Sequence, residues 1–140
     1  MVYVDTSVLA AYYCPEPLSG KAETFLISQD KPVISTLTEV ELFAALSRKV
    51  REARMTRVDA SRVASKFMSH LDHTIYTRLP VNDHHYRLAR DWIGLFRYPL
   101  RTLDALHLAV ASSENLKLVT IDKSLSKSAK ALSIDVMLLA

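Results

Sequence analysis

Short apolar runs alternate with longer amphipathic segments along the whole chain. Five runs rich in β-branched and aromatic residues predict strands, because each is shorter than an ordinary helix. They are MVYV at 1–4, PVIS at 32–35, TIYTRL at 74–79, KLVTI at 117–121 and IDVMLL at 134–139. Strands that alternate with helices predict an α/β fold with a mostly parallel sheet, covered by helices on both faces.

The segments between these runs carry apolar residues at helical spacing and predict seven helices. They are TSVLAAYY at 6–13, LSGKAETFLISQ at 18–29, TLTEVELFAALSRKVREA at 36–53, RVDASRVASKFMSHLDH at 57–73, a segment over about 82–96, LRTLDALHLAVA at 100–111 and SLSKSAKAL at 124–132. Pro15 and Pro17 end the first of them, since proline cannot continue a helix. The 140 residues contain no repeat, linker or low-complexity segment, so we expect a single domain over residues 1–140.

Asp104 is an unusual residue within the strongly apolar segment LRTLDALHLAVA. The segment predicts a buried helix with Thr102 as its N-cap, because the threonine hydroxyl can accept a free N–H of the first turn. A carboxylate in that turn is also favoured by the helix dipole. Asp104 therefore has two interpretations: a charge that stabilises the helix end, or a functional carboxylate that the helix holds in place.

Three further acidic residues lie at the ends of predicted elements. Asp5 follows the first strand, Glu41 lies in the opening turns of the helix after the second strand, and Asp122 follows the fourth strand. In open α/β sheets, ligands bind beyond the carboxyl ends of the strands. We therefore expect Asp5, Glu41, Asp104 and Asp122 to lie near one edge of the sheet.

Each of these acids also has a structural explanation. The two aspartates that follow strands could be N-caps, and Glu41 could complete a capping box with Thr38. Thr36 and Glu39 offer the same box, although one helix start needs only one. As a group, however, four carboxylates at one edge repel each other unless a cation or protons lie among them.

Clustered carboxylates predict a site for a hard divalent cation, namely Mg²⁺, with Mn²⁺ as a substitute. Such a cation lowers the pKa of a bound water and holds phosphate oxygens. No residue near the four acids is an obvious nucleophile for a covalent path. The combination therefore indicates metal-dependent hydrolysis of a phosphodiester by water.

The distribution of charge bears on the substrate. The net charge is +3, and basic residues concentrate between Arg48 and Lys66. A second basic group consists of Arg87, Arg90, Arg97 and Arg101. A basic surface attracts polyanions, most often nucleic acid. The first group could equally form a solvated helix face in which Glu52 and Asp59 balance the positive charges.

Composition argues against several other classes of protein. Two glycines are too few for a fold built on Gly-rich phosphate loops. Ser7 occupies the position where an aspartyl-phosphate phosphatase would need its second aspartate. No apolar stretch approaches the ~20 residues of a membrane span, and the N-terminus has no signal-peptide pattern. The single cysteine, Cys14, cannot form an internal disulfide, so we expect a cytoplasmic protein without a membrane partner.

Four segments, YVDTSVLAAYY, ISTLTEVELFAAL, LRTLDALHLAVA and LVTIDKSL, resemble the four motif blocks of the PIN-domain family in order and spacing. The resemblance runs from Val2 to about Val136. Within the family, the chain resembles in particular the VapC-type toxins of toxin–antitoxin pairs. It implies a PIN-like α/β/α sandwich with a mostly parallel five-stranded sheet in the order 3-2-1-4-5. That order makes the first and fourth strands neighbours, which brings Asp5 beside Asp122.

The same resemblance implies roles for individual residues. It assigns the metal site and catalysis to four acids: Asp5, Glu41, Asp104 and Asp122. The family register favours Glu41 over Glu39 as the glutamate of this set. Thr6 or Ser7, together with Thr120, correspond to hydroxyls that orient carboxylates and water.

The resemblance further implies a Mg²⁺-dependent endoribonuclease, the toxin component of a type II toxin–antitoxin system, which cleaves RNA with metal-activated water. It implies a homodimer and a cognate antitoxin. Four carboxylates favour an antitoxin tail that carries Arg or Lys, with its apolar residues against the AETFLI and ELFAAL helices. Two alternatives stay open: a PIN nuclease for RNA processing or DNA without a toxin role, and a non-catalytic RNA- or protein-binding module.

Four residues outside the acidic set have more modest interpretations. Ser133 stands before the last strand, where many relatives have glycine, and we expect a turn there. We interpret His84 and His85 as exposed residues of a first helical turn. His107 lies three residues after Asp104, and a hydrogen-bonded packing role is its expected function.

Overall fold

The computed structural model describes residues 1–140 and contains one five-stranded sheet and seven helices. The strands are β1 (Val2–Val4), β2 (Val33–Ser35), β3 (Thr77–Leu79), β4 (Lys117–Thr120) and β5 (Val136–Leu138). The helices are α1 (Thr6–Tyr13), α2 (Ser19–Ser28), α3 (Thr36–Arg51), α4 (Arg57–Asp72), α5 (Asp83–Ile93), α6 (Thr102–Ser113) and α7 (Lys123–Ala131). All the elements predicted from the hydrophobic pattern are present, with ends that differ by a few residues. No helix combines the length and apolarity needed to cross a membrane.

The five strands run parallel in the order β3-β2-β1-β4-β5, which confirms the predicted topology. The first strand occupies the centre, where Tyr3 lies opposite Val33 of β2 and Leu118 of β4. Just beyond the end of β1, the backbone N–H of Asp5 donates to the carbonyl of Val119 at 3.2 Å. The carboxyl ends of β1 and β4 therefore lie side by side, as the strand order requires.

The sheet separates two hydrophobic layers because successive strand residues point to opposite faces. Val4 belongs to a core formed with helices α1 to α4, which includes Phe67. Its neighbour Tyr3 belongs to the core on the opposite face, formed with α6 and α7, which includes Leu108 and Leu125. Helix α5 covers α6 from outside through a small apolar cluster. The chain is thus a sandwich of helices, sheet and helices.

Two helix starts differ from those predicted. Helix α6 begins at Thr102 itself, and Arg101 occupies the N-cap position without a capping side chain, so the predicted threonine cap is wrong. The capping box of α3 joins Ser35 to Thr38. Ser35 takes this role because it ends β2 in an extended conformation, whereas Thr36 is already helical. Glu41 is therefore free of any capping duty.

The interpretation of His85 as an exposed residue is wrong, whereas that of His84 is confirmed. His84 is exposed, but the side chain of His85 is only 1% exposed. Helix α5 begins with a capping box in which the Asn82 N–H donates to His85 Nδ1 at 2.9 Å. Because α5 packs along α6, the third residue of its first turn lies against the end of α6, beside Glu114.

Candidate metal centre

Asp5 is a buried carboxylate held at the end of β1. Asp5 is 5% exposed, and both of its side-chain oxygens accept hydrogen bonds. Ser7 Oγ donates to Oδ1 at 2.6 Å, and Thr120 Oγ1 donates to Oδ2 at 2.8 Å. Burial raises the pKa of Asp5, although the hydrogen bonds from Ser7 and Thr120 favour the ionised form. The backbone of Asp5 occupies the N-cap position of α1, but its side chain caps nothing.

The hydroxyls of Ser7 and Thr120 link Asp5 to the segment after β4. Ser7 Oγ accepts the N–H of Ile121 at 3.0 Å, and Thr120 Oγ1 accepts the N–H of Asp122 at 3.0 Å. Asp122 then caps α7, since its Oδ1 accepts two backbone N–H groups of the first turn. Its Oδ2 has no protein partner. Asp122 thus combines the expected N-cap role with one oxygen that is available to a ligand.

Glu41 lies in the second turn of α3 and faces the end of β1. Its Oε1 accepts a hydrogen bond from Thr6 Oγ1 at 2.7 Å and contacts Nε2 of His107. Burial raises the pKa of Glu41, but the hydrogen bonds from His107 and Thr6 outweigh it, and the net pKa is lowered. Glu41 is therefore a carboxylate at neutral pH. Both contacts are made by Oε1, which leaves Oε2 without a protein partner.

Glu39, two residues earlier on α3, points elsewhere. Its carboxylate forms a bidentate pair with Arg78, at 3.0 Å to Nε and 2.8 Å to a terminal nitrogen. A residue two positions away on a helix faces a different direction. Of the two glutamates, only Glu41 contacts the end of β1, through Thr6.

Asp104 lies in the first turn of α6, half-buried. Arg101 Nε lies 3.7 Å from its Oδ2. Burial raises the pKa of Asp104; Arg101 opposes this shift, while the negative charges of Asp122 and Glu41 add to it. Asp104 is thus close enough to Asp122 and Glu41 for both negative charges to disfavour its own.

The four acids face one region without drawing together into a compact cage. The one group of three metal-ligating side chains whose ligand atoms all lie within 4.8 Å of one another is different: His84, His85 and Glu114. In that group, His85 Nδ1 accepts the N–H of Asn82, so the neutral ring carries its proton on Nε2. Nε2 therefore has no lone pair for a metal and lies 3.4 Å from Glu114 Oε1. This group is a histidine–carboxylate pair.

The sequence did not single out the hydrogen bonds that support Glu41 from behind. His107 is 3% exposed, and its Nδ1 contacts the hydroxyl of Tyr3 at 2.6 Å. Tyr3 in turn contacts Ser35 Oγ at 2.8 Å. The packing role expected for His107 is thus correct, but its contact with a site carboxylate depends on the fold. Its position three residues after Asp104 was the available signal.

Much of the positive charge between Arg48 and Lys66 is locally balanced. Glu52 pairs with both Arg48 and Arg54, and Asp59 lies 3.7 Å from Arg62. These pairs are exposed and worth little in stability. They agree with the solvated-face interpretation for part of this surface.

The fold and the acidic edge together define the class of protein. The family model of the PIN domain matches residues 2–131, and the chain belongs to the PIN-domain family. The resemblance of the four motif blocks is thereby confirmed.

Particular relatives are VapC proteins. Ribonuclease VapC46 of Mycobacterium tuberculosis (strain ATCC 25618 / H37Rv) is 30% identical over 139 residues, which cover 97% of this chain and 95% of that protein. The structure of VapC20 from M. tuberculosis, described as a sarcin–ricin loop cleaving toxin, aligns with a TM-score of 0.71 at 22% identity. The alignment covers 91% of this chain and 94% of that one. DNA-bound VapBC from Salmonella typhimurium aligns over the whole of both chains, with a TM-score of 0.72 at 15% identity.

Proposed function

We propose that this protein is a Mg²⁺-dependent endoribonuclease and the toxin component of a type II toxin–antitoxin pair. The observation that carries the proposal is the hydrogen-bond framework at one edge of the sheet, which ties Asp5 to the segment of Asp122 and Glu41 to the end of β1. The charges of Glu41 and Asp122 also raise the pKa of Asp104, so all four acids belong to this edge. The similarity to Ribonuclease VapC46 over nearly the whole chain supports the choice of RNA as substrate.

The donor set fits a hard divalent cation. Asp5, Glu41, Asp104 and Asp122 offer only carboxylate oxygens, the ligands that Mg²⁺ and Mn²⁺ prefer. Glu41 Oε2 and Asp122 Oδ2 have no protein partner, and positive charge would relieve the repulsion among the carboxylates. A divalent cation bound there supplies activation of water and neutralisation of the phosphate charge.

The other residues of the site orient the carboxylates. Ser7 and Thr120 hold both oxygens of Asp5, and Thr6 holds Oε1 of Glu41. Hydroxyls that hold metal ligands in place are worth about 10–100-fold in metal affinity or activity. In the second basic group, Arg90 pairs with Asp91 and Arg101 faces Asp104, so Arg87 and Arg97 supply the positive charge that attracts the RNA backbone.

Two glutamates on one helix provide the test. Purified wild-type protein should cleave total RNA only with Mg²⁺ or Mn²⁺, and the products should carry 5′-phosphate and 3′-hydroxyl ends, since water attacks phosphorus without participation of the 2′-hydroxyl. Glu41→Gln should lower the rate at least about 100-fold, because it removes a proposed ligand. Glu39→Gln is the matched control, since Glu39 pairs with Arg78, and it should keep wild-type activity.

Cleavage that persists in excess EDTA would contradict the mechanism, as would products with 2′,3′-cyclic phosphates. Equal loss of activity in both glutamate variants would remove Glu41 from the site. Sequencing of new 5′ ends after brief induction in cells then identifies the RNA that is cut.

The remaining features of the proposal concern partners and organisation. We propose a single PIN domain over residues 1–140, a homodimer, and a cognate antitoxin whose Arg or Lys approaches the four acids. Val40 and Phe43 flank Glu41 on α3 and are 69% and 42% exposed, so they offer an apolar surface to the antitoxin tail. RNA as substrate and the free thiol of Cys14 both favour the cytoplasm.

A further inference from the structure

The carboxylate of Glu41 is connected to the centre of the sheet by a chain of buried hydrogen bonds. His107 Nε2 contacts Glu41 Oε1, and His107 Nδ1 lies 2.6 Å from the hydroxyl of Tyr3. The same hydroxyl lies 2.8 Å from Ser35 Oγ. Tyr3 and Ser35 are fully buried, and His107 nearly so. Polar groups in such places are hydrogen-bonded because an unpaired one is costly.

The chemistry of the groups sets the direction of the hydrogen bond at the Glu41 end of this chain. An ionised carboxylate only accepts, so the proton on His107 Nε2 is donated to Glu41. On the other side of the ring, Nδ1 contacts the hydroxyl of Tyr3, which in turn contacts Ser35 Oγ. Burial raises the pKa of Tyr3, so its hydroxyl keeps its proton.

The chain is anchored on rigid elements. Tyr3 is the middle residue of the central strand and is paired on both sides. Ser35 ends β2 and belongs to the capping box of α3, the helix that carries Glu41. His107 lies on α6, the helix that carries Asp104. One hydrogen-bonded chain therefore connects β1, β2, α3 and α6, the elements around the acidic edge.

The contacts of Glu41 are unevenly divided between its two oxygens. Oε1 accepts from Thr6 at 2.7 Å and from His107, so two donors from different elements hold it. Oε2 has no protein partner. Turning the carboxylate about its bond to Cγ would move Oε1 away from both donors.

We propose that Tyr3 and His107 are positioning residues that hold Glu41 with its Oε2 directed to the proposed metal. This inference rests on the proposed function, because it assumes that a divalent cation binds among the acids. Tyr3 touches neither metal nor substrate in this arrangement, and its effect is transmitted through His107. A positioning role requires that a substitution at Tyr3 or His107 weakens metal binding while the protein stays folded.

Mn²⁺ affinity is the measurement that separates positioning from packing. Mn²⁺ is titrated into the purified full chain without RNA, and the free ion is followed by its EPR signal. Tyr3→Phe should raise the Kd for Mn²⁺ about tenfold or more, in the range typical of residues that support metal ligands. Tyr13→Phe is the matched control, since Tyr13 makes the same 2.6 Å contact with Nδ1 of His70. It should leave the Kd unchanged.

Two substitutions at position 107 test the direction of the contact. Glutamine can place its amide N–H where Nε2 lies and so still donate to Glu41, whereas asparagine reaches only the position of Nδ1. The Kd for Mn²⁺ should therefore rise more in His107→Asn than in His107→Gln. Thermal melts in EDTA establish that each variant is folded, and Tyr3→Phe decides the outcome alone if a variant at 107 does not fold.

The proposal is overturned if folded Tyr3→Phe binds Mn²⁺ as tightly as wild type and Tyr13→Phe. An equal rise in Kd for both tyrosine variants would also overturn it, since the effect would then be general destabilisation. The proposed metal site fails in a different way: wild type binds no Mn²⁺, or Glu41→Gln binds it as tightly as wild type.

Discussion

At the scale of single residues, neighbouring carboxylates of the site differ in how the folded protein treats their charge. Burial and the charges of Asp122 and Glu41 raise the pKa of Asp104 against the opposing effect of Arg101. Burial raises the pKa of Glu41 too, but the donors His107 and Thr6 lower it overall. The fold therefore disfavours the charge of Asp104 and favours that of Glu41. Neutralising Asp104 should therefore stabilise the folded protein, whereas neutralising Glu41 should destabilise it.

Asp104→Asn should raise the melting temperature in EDTA at neutral pH. A raised pKa means that the folded state binds the proton more tightly, so ionisation destabilises it as pH rises above the unfolded pKa. Asparagine removes that cost, and the gain should vanish in acid, where the carboxyl group is protonated in both states. Adding Mg²⁺ stabilises the wild type more than the variant and should narrow or reverse the difference. RNA cleavage should be lost while the fold remains.

Glu41→Gln should have the opposite effect on stability from Asp104→Asn. A lowered pKa means that the carboxylate stabilises the fold above its unfolded pKa and loses that effect as pH falls through the folded pKa. The variant should therefore melt below wild type at neutral pH in EDTA and match it in strong acid.

If Asp104→Asn instead melts below wild type in EDTA, with an unchanged response to metal, Asp104 serves only the helix dipole.

At the scale of elements, the turn between α7 and β5 carries a local strain. Ser133 has a φ of 59°, in the left-handed region that favours glycine. This is the position where the family resemblance led us to expect glycine. The turn is kept by its backbone hydrogen bonds, since the N–H groups of Ser133 and Ile134 donate to carbonyls of the last turn of α7.

Ser133→Gly should stabilise the protein by up to about 1 kcal/mol, because relief of the left-handed strain exceeds the entropy that glycine adds to the unfolded chain. Urea unfolding measures the difference. Asn115→Gly is the matched control: Asn115 has a φ of 54°, but asparagine tolerates this conformation, so the gain should be smaller. A destabilised Ser133→Gly would show that the serine makes a contribution beyond the turn.

At the scale of the whole molecule, α5 and α6 present an apolar surface to solvent. A cavity of about 440 Å³ lies between them, lined by Tyr86, Ala89, Ile93 and Leu106 among others. Phe96 and Leu103 beside it are 91% and 46% exposed. Exposed apolar surface of this kind marks contact sites in soluble proteins. A second copy of the chain can cover it through a symmetric contact.

Tyr86→Glu should convert the expected homodimer into a monomer, because it places a charge in the middle of this apolar surface. Light scattering after size-exclusion chromatography, at micromolar concentration, measures the mass. Val58→Glu, on α4, introduces the same charge at an apolar residue of similar exposure, 61% against 54% for Tyr86, and should leave the dimer intact. A wild-type protein that is monomeric under these conditions would contradict the dimer itself.

Much of the architecture could be predicted from local pattern. The alternation of apolar runs and amphipathic segments determines the α/β class, because the periods of a strand and of a helix are visible within short stretches of the sequence. It also places Asp5 and Asp122 directly after strands, so their position at the carboxyl edge follows once the strands are parallel. The exact helix starts were less predictable: Thr102 and Thr36 are both good capping residues, but the backbone conformation of Arg101 and Ser35 decided the caps.

The sequence by itself determined which elements form and that four acids lie at or near the ends of those elements. Only the tertiary structure decided which oxygens of those acids accept hydrogen bonds from the protein. It also decided in which carboxylate the ionised form is stabilised, and which side chains donate to that carboxylate. The contact between Tyr3 and His107 joins residues 104 positions apart, and that between Glu41 and His107 joins residues 66 apart. No periodicity of the chain encodes such pairs, because they depend on how strands and helices pack. The pKa of a carboxylate depends on the same packing, through burial and neighbouring charges.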